Sequence, residues 1–92
     1  MWISRNGEMF NLDNVVQITS ELDEYSEHVI ASIYFITNTG ESIAFAKRAF
    51  PYNSNNYKTE RYHAERYIAN ILELLKALLK PSDIKIEIKE AV

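Results

Sequence analysis

From Asn56 to Lys80 the apolar residues recur at three- and four-residue intervals, and no other stretch of the sequence is long enough for an extended helix. At about 100° per residue, Ala64, Tyr67, Ile68, Ile71, Leu72, Leu74, Leu75, Leu78 and Leu79 fall in one stripe roughly 160° wide. Glu65, Arg66, Glu73, Lys76 and Lys80 lie opposite. Asn56 or Thr59 can offer a side-chain oxygen to the first free N–H groups, and Glu60 adds negative charge where the helix dipole favours it. Pro81 ends the helix, because it has no N–H to donate and its ring clashes with the preceding turn. A stripe of about 100° seats a helix on one core. The extra width predicts that part of this helix meets a second surface.

The remainder reads as strands. Trp2 to Ser4 and Glu8 to Phe10 flank Asn6-Gly7, the pair that most readily takes the positive φ angles of a tight hairpin turn. Asn11, Leu12, Asp13 and Asn14 mark a further turn, since short polar side chains bond to nearby backbone. From Val15 to Leu22, Val16, Ile18 and Leu22 alternate with Gln17, Thr19 and Glu21, the half-buried pattern of an antiparallel sheet. Leu22 to Glu27 is read as an acidic loop. His28 to Thr37 is the longest strand and is apolar on both sides, with Val29, Ala31, Ile33 and Phe35 against Ile30, Tyr34 and Ile36. Such a strand is central in its sheet or covered twice. Asn38 to Glu41 turns the chain, Ser42 to Lys47 returns, and an asparagine-rich connection over 50–58 leads to the helix. Beyond Pro81, Ile84, Ile86 and Ile88 alternate with Lys85, Glu87 and Lys89, predicting a last strand that pairs at a sheet edge or with a second copy.

Composition narrows the function classes. The 92 residues are expected to form one domain, 1–92, without a linker, and an apolar share of 47% argues against intrinsic disorder. With no cysteine, disulfides, thiol nucleophiles and sulfur-based zinc sites are excluded, and His28 and His63 are the nitrogen ligands that remain. The opening Met1-Trp2-Ile3-Ser4-Arg5 has no basic segment ahead of an apolar run, so no secretory leader and a cytoplasmic location are expected. No apolar run approaches the length that crosses a bilayer, so no membrane contact is expected. A net charge of −3 does not favour nucleic acid.

Three stretches could carry chemistry. Tyrosine recurs every five residues at Tyr52, Tyr57, Tyr62 and Tyr67, interleaved with Lys58, Arg61 and Arg66. Segment 47–67 holds five basic and two acidic residues, so it is +3 against −6 elsewhere. Rings beside cations suit single-stranded nucleic acid. Five helical residues, however, rotate by about 500°, so successive tyrosines point about 140° apart and share no face. Glu21, Asp23, Glu24 and Glu27 beside His28 offer oxygen ligands, but not at the spacing of a calcium loop, and read as a solvated turn or as charge for the basic helix start. His63 stands at the stripe border without an identifiable nucleophile, and two glycines cannot build a phosphate loop.

Behind the aromatic-Ile strand, the run Asn11-Leu12-Asp13-Asn14-Val15 resembles the opening of short uncharacterised bacterial and phage proteins that continue with a strand meander and one long helix. The resemblance covers that opening and the order of elements. Some such proteins look like small half-barrels related to pleckstrin-homology-type folds, from which a strand after the helix departs. The resemblance assigns no functional residue.

The expected fold is therefore α+β: an antiparallel sheet of five to six short strands, one long amphipathic helix packed on it, and a C-terminal strand after the helix. The expected role is a non-enzymatic protein-interaction module, self-associating as a homodimer or binding another protein, with no catalytic residue, metal or cofactor. Leu72, Leu74, Leu79, Ile84, Ile86 and Ile88 are the expected interface. The alternative is single-stranded nucleic-acid binding through Tyr52, Tyr57, Lys58, Arg61 and Arg66.

Overall fold

The computed structural model describes residues 1–79 and 86–89, the last three by their backbone. Strands β1 (Trp2–Arg5) and β2 (Glu8–Asn11) form the expected hairpin. Both turn residues, Asn6 at φ 51° and Gly7 at φ 81°, take the left-handed conformation that such a tight turn demands. A 3-10 turn over Leu12–Asn14 follows, with Asn11 Oδ1 accepting the Asp13 N–H at 3.1 Å. This turn separates the hairpin from the meander. The expected single sheet is thus two antiparallel sheets, the second made of β3 (Val15–Glu24), β4 (His28–Thr37) and β5 (Ser42–Pro51) in the order β5–β4–β3.

Two bulges adjust which residues face inward. The first lies between Val15 and Gln17, so Val15 is buried while Val16, expected on the inner face, is 46% exposed. The second makes Phe45 the extra residue of β5, since Ala46 pairs with Ile33 and Ala44 with Tyr34. Strands β3 and β5 also run further than their patterns suggest. Leu22, Asp23 and Glu24 stay paired with Ala31, Ile30 and Val29, and the acidic loop shrinks to residues 25–27. Cross-strand bonding of the backbone outweighs the low strand preference of Asp and Glu at an exposed end. In β5 the buried Phe50 anchors the extension to Pro51, where an edge strand tolerates the missing donor.

Helix α1 (Tyr57–Leu79) crosses the inner face of this sheet, touching β4, β5 and β3. Its first ladder bond runs from the Glu60 N–H to the Asn56 carbonyl at 2.9 Å, but the Asn56 side chain turns back to accept the Asn53 N–H. Ala64, Ile68, Ile71, Leu72, Leu75 and Leu79 are buried. Those six span about 100° of the helix, the width one core requires. Tyr67, Leu78 and Leu74 lie along one margin of the stripe, and Leu74 and Leu78 are 65% and 45% exposed.

The helix packs on Val29, Ala31, Ile33 and Phe35 of β4, and the hairpin joins this core through Phe10. Phe10 meets Phe35 edge to face at 5.7 Å and Phe45 at 5.1 Å, while Phe35 and Phe45 stack at 4.5 Å. The backbone of Glu87–Lys89 runs parallel to β3, opposite Gln17, Ile18 and Thr19. Ile84 and Lys85 of the expected last strand, and Pro81, lie outside the described residues.

Leu72 is 1% exposed within the core cluster. Leu72→Ala is expected to lower unfolding free energy by about 3 kcal/mol, from lost transfer energy plus a residual cavity, read by urea denaturation.

Candidate interaction surface

Strand β4 is apolar on both sides and carries bonded neighbours on both edges, yet the helix covers one face only. On the other face Ile30, Tyr34 and Ile36 are half-buried and stand apart from the core cluster. Register sets their surroundings. The rows across this outer face are Asp23, Ile30, Ala49; Glu21, Ser32, Lys47; Thr19, Tyr34, Ala44; and Gln17, Ile36, Ser42. An apolar strip thus runs down the middle, with acidic and polar residues on the β3 side and small residues plus one lysine on the β5 side. Ser32, in the middle of the strip, is fully buried between its neighbours, and its Oγ has no hydrogen-bond partner. Glu21 and Lys47 are exposed, and neither makes an ion pair among the described residues. They stand two strand spacings apart, about 10 Å, on either side of Ser32, and make no ion pair with one another.

A second apolar surface follows the helix margin. Ile3 and Phe45 face Ile71, Leu74, Leu75 and Leu78 across a groove of about 160 Å³. Its upper end is closed by Arg5, whose guanidinium lies 5.7 Å from the Phe45 ring centre and 6.0 Å from that of Tyr67. Arg5 also donates to the Tyr67 hydroxyl at 3.2 Å, and its buried Nε finds no acceptor. A further depression, of about 480 Å³, opens between β2 and the β4–β5 turn over Phe10, Val15, Phe35 and Ile43. Among the described residues Glu8 and Glu41 are the ionisable groups that line it.

The expected interface residues are divided by the fold. Leu72 and Leu79 are core residues, 1% and 9% exposed, and cannot reach a partner from there. Leu74 is exposed, and Ile86 is half-buried against the core. Ile88 lies opposite Ile18 by its backbone, and Ile84 falls outside the described residues. The stripe is wide because its margin continues past the core, and a helical wheel cannot show where the core ends.

The nucleic-acid candidates are largely engaged within the chain. Tyr52 and Tyr57 meet edge to face at 4.9 Å, and the Tyr52 hydroxyl donates to the Tyr25 carbonyl. Arg61 pairs with Glu24 at the end of β3 and, at 3.2 Å, with Glu65. The acidic end of β3 therefore meets the basic helix start inside one molecule. Lys58 is exposed, and Arg66 shares a shallow depression with Arg48, His63 and Asn70. His63 Nδ1 is 3.5 Å from Glu60 Oε1, and among the described residues no Ser or Thr lines that depression. Among the described residues no three His, Asp or Glu side chains converge as metal ligands.

No family model matches the chain, and neither does any curated protein or solved structure. Among the described residues no helix is long and apolar enough to cross a membrane.

Sequence reasoning missed Ser32 and the Glu21–Ser32–Lys47 row, because register across three strands is not written in any one of them. The signal that was present is the double-sided apolar pattern of β4. A buried hydroxyl without a partner costs stability, so Ser32→Ala is expected to raise unfolding free energy by about 1 kcal/mol. Thermal and urea unfolding both read this; a loss of that size would show that the hydroxyl is satisfied.

Proposed function

We propose that this protein is a small non-enzymatic interaction module that associates with a second copy of itself, with the backbone of residues 87–89 completing the sheet at the β3 edge. The observation that carries this is the outer face of β4. Ile30, Tyr34 and Ile36 form an apolar strip that no helix covers among the described residues, on a strand whose two edges are already bonded. An antiparallel sheet that keeps one face in water normally places polar residues there. Here the central strand keeps apolar ones, and covering them with an identical strip removes them from water on both copies at once.

Size sets the expected strength. Three strands of about ten residues present a face of about 14 by 30 Å, a footprint of about 400 Å² per copy. Stable complexes bury about 800 Å² per partner, so association here belongs in the micromolar range. Light scattering after gel filtration, over about 5 to 200 µM, is expected to show a monomer mass rising toward that of a dimer. A strictly monomeric mass across that range overturns the proposal.

The exposed Leu74 and Leu78 favour a second surface for the same self-association, the helix margin beside Ile3 and Phe45. Paired variants separate the two. Ile30→Ser with Ile36→Ser is expected to abolish the mass increase while Leu74→Ser with Leu78→Ser leaves it unchanged; the opposite result transfers the interface to the helix.

A further inference from the structure

Resting on that self-association, we infer that the two copies pack sheet to sheet about a two-fold axis parallel to β4, so that Glu21 of each molecule faces Lys47 of the other. The row Glu21, Ser32, Lys47 puts an acid on β3 and a base on β5 at the same height on either side of the central strand. Neither is neutralised within its own chain among the described residues.

Two in-plane axes can bring this face onto a copy of itself. An axis perpendicular to the strands through the Ser32 row lays β3 on β3 and β5 on β5. Glu21 then meets Glu21 and Lys47 meets Lys47, with Asp23 of each copy adding to the acidic side. Such juxtaposition of like charges opposes association. An axis parallel to β4 exchanges left and right while keeping height, so β5 of one copy covers β3 of the other. Both ends of the row are then matched, Glu21 to Lys47 and Lys47 to Glu21, and Asp23 lies over the partner's small Ala49. Packed sheets are separated by about 10 Å and rotated by about 30°, a gap that a glutamate and a lysine span together from opposite sides. The rotation moves the ends of the row by only about 2 to 3 Å, because they lie one strand spacing from its centre. Ser32, small and fully buried, lies beneath the axis and lets the two faces approach.

The arrangement is tested by charge reversal, because it makes a prediction that mere stickiness of the face does not. Glu21→Lys gives a chain with lysine at both ends of the row, and Lys47→Glu gives one with acid at both ends. Each variant alone places like charges together twice and is expected to dimerise at least about tenfold more weakly than the parent. An equimolar mixture restores both opposite-charge contacts, so it is expected to form heterodimers within about threefold of the parental affinity. Sedimentation velocity gives the affinities, native mass spectrometry distinguishes hetero- from homodimers, and circular dichroism checks the fold. The neutral variants Glu21→Gln and Lys47→Gln, expected to weaken association less than reversal does, serve if a reversed chain does not fold. If the single variants dimerise like the parent, or the mixture does not recover, the axis is wrong while self-association stands. If the parent itself is monomeric, the proposed function fails and this arrangement with it.

Discussion

Strand β4 bears two sets of obligations that the rest of the molecule is arranged to meet. Its backbone groups are bonded along both edges, to β3 and to β5, over almost all of its ten residues. Its inner side chains Val29, Ala31, Ile33 and Phe35 are at most 1% exposed and form the floor on which the helix lies. A strand so paired cannot shift register by one residue without driving its inner set to the outside, which fixes the whole meander. The hairpin depends on β4 less directly. Phe10 reaches Phe35 and Phe45, and Arg5 is clasped between Phe45 and Tyr67, so the hairpin is tied to sheet and helix through rings rather than through a strand ladder. The Arg5 clasp has a cost in its unpaired Nε, which the two ring contacts and the bond to the Tyr67 hydroxyl offset.

Much of this was legible before any coordinates, and the parts that were not share a cause. Asn6-Gly7 and the alternation of β4 are local signals, and local chemistry placed them. The bulges at Val16 and Phe45 are not local. Each arises where two strands must keep their apolar faces together although their alternations are out of step, and one residue is expelled from the ladder to reconcile them. The division of the helix stripe into buried Leu72 and Leu79 and exposed Leu74 and Leu78 has the same origin. Periodicity gives the direction of a side chain, while burial depends on how far the sheet extends beneath it.

The candidate surface repeats that lesson in sharper form. Ile30, Tyr34 and Ile36 announced a second face from sequence alone. Glu21 and Lys47 did not announce a relation, because they are far apart in sequence and only pairing through Ser32 places them in one row. The tyrosine repeat shows the reverse case, a conspicuous pattern whose members the fold disperses. Tyr52 and Tyr57 pack on each other, Tyr67 holds two arginines, and Tyr62 points to solvent at 58% exposure.

Edges and faces are treated differently in this sheet, and the difference bears on how the molecule can associate. A ten-residue edge strand such as β5 is a template for uncontrolled pairing. It is interrupted by the Phe45 bulge, carries Lys47 and Arg48 side by side, ends at Pro51, and has the hairpin tip nearby at Arg5, Asn6 and Glu8. Each of these features discourages a further strand from adding there. On the opposite side, the backbone of residues 87–89 occupies part of the β3 edge. Among the described residues no comparable device protects the outer face, where the strip on β4 carries no charge of its own. Charge is confined to the two flanks and divided by sign between them. That pattern does little to repel a second sheet and a great deal to orient one, which is the arrangement the proposed self-association through this face would use.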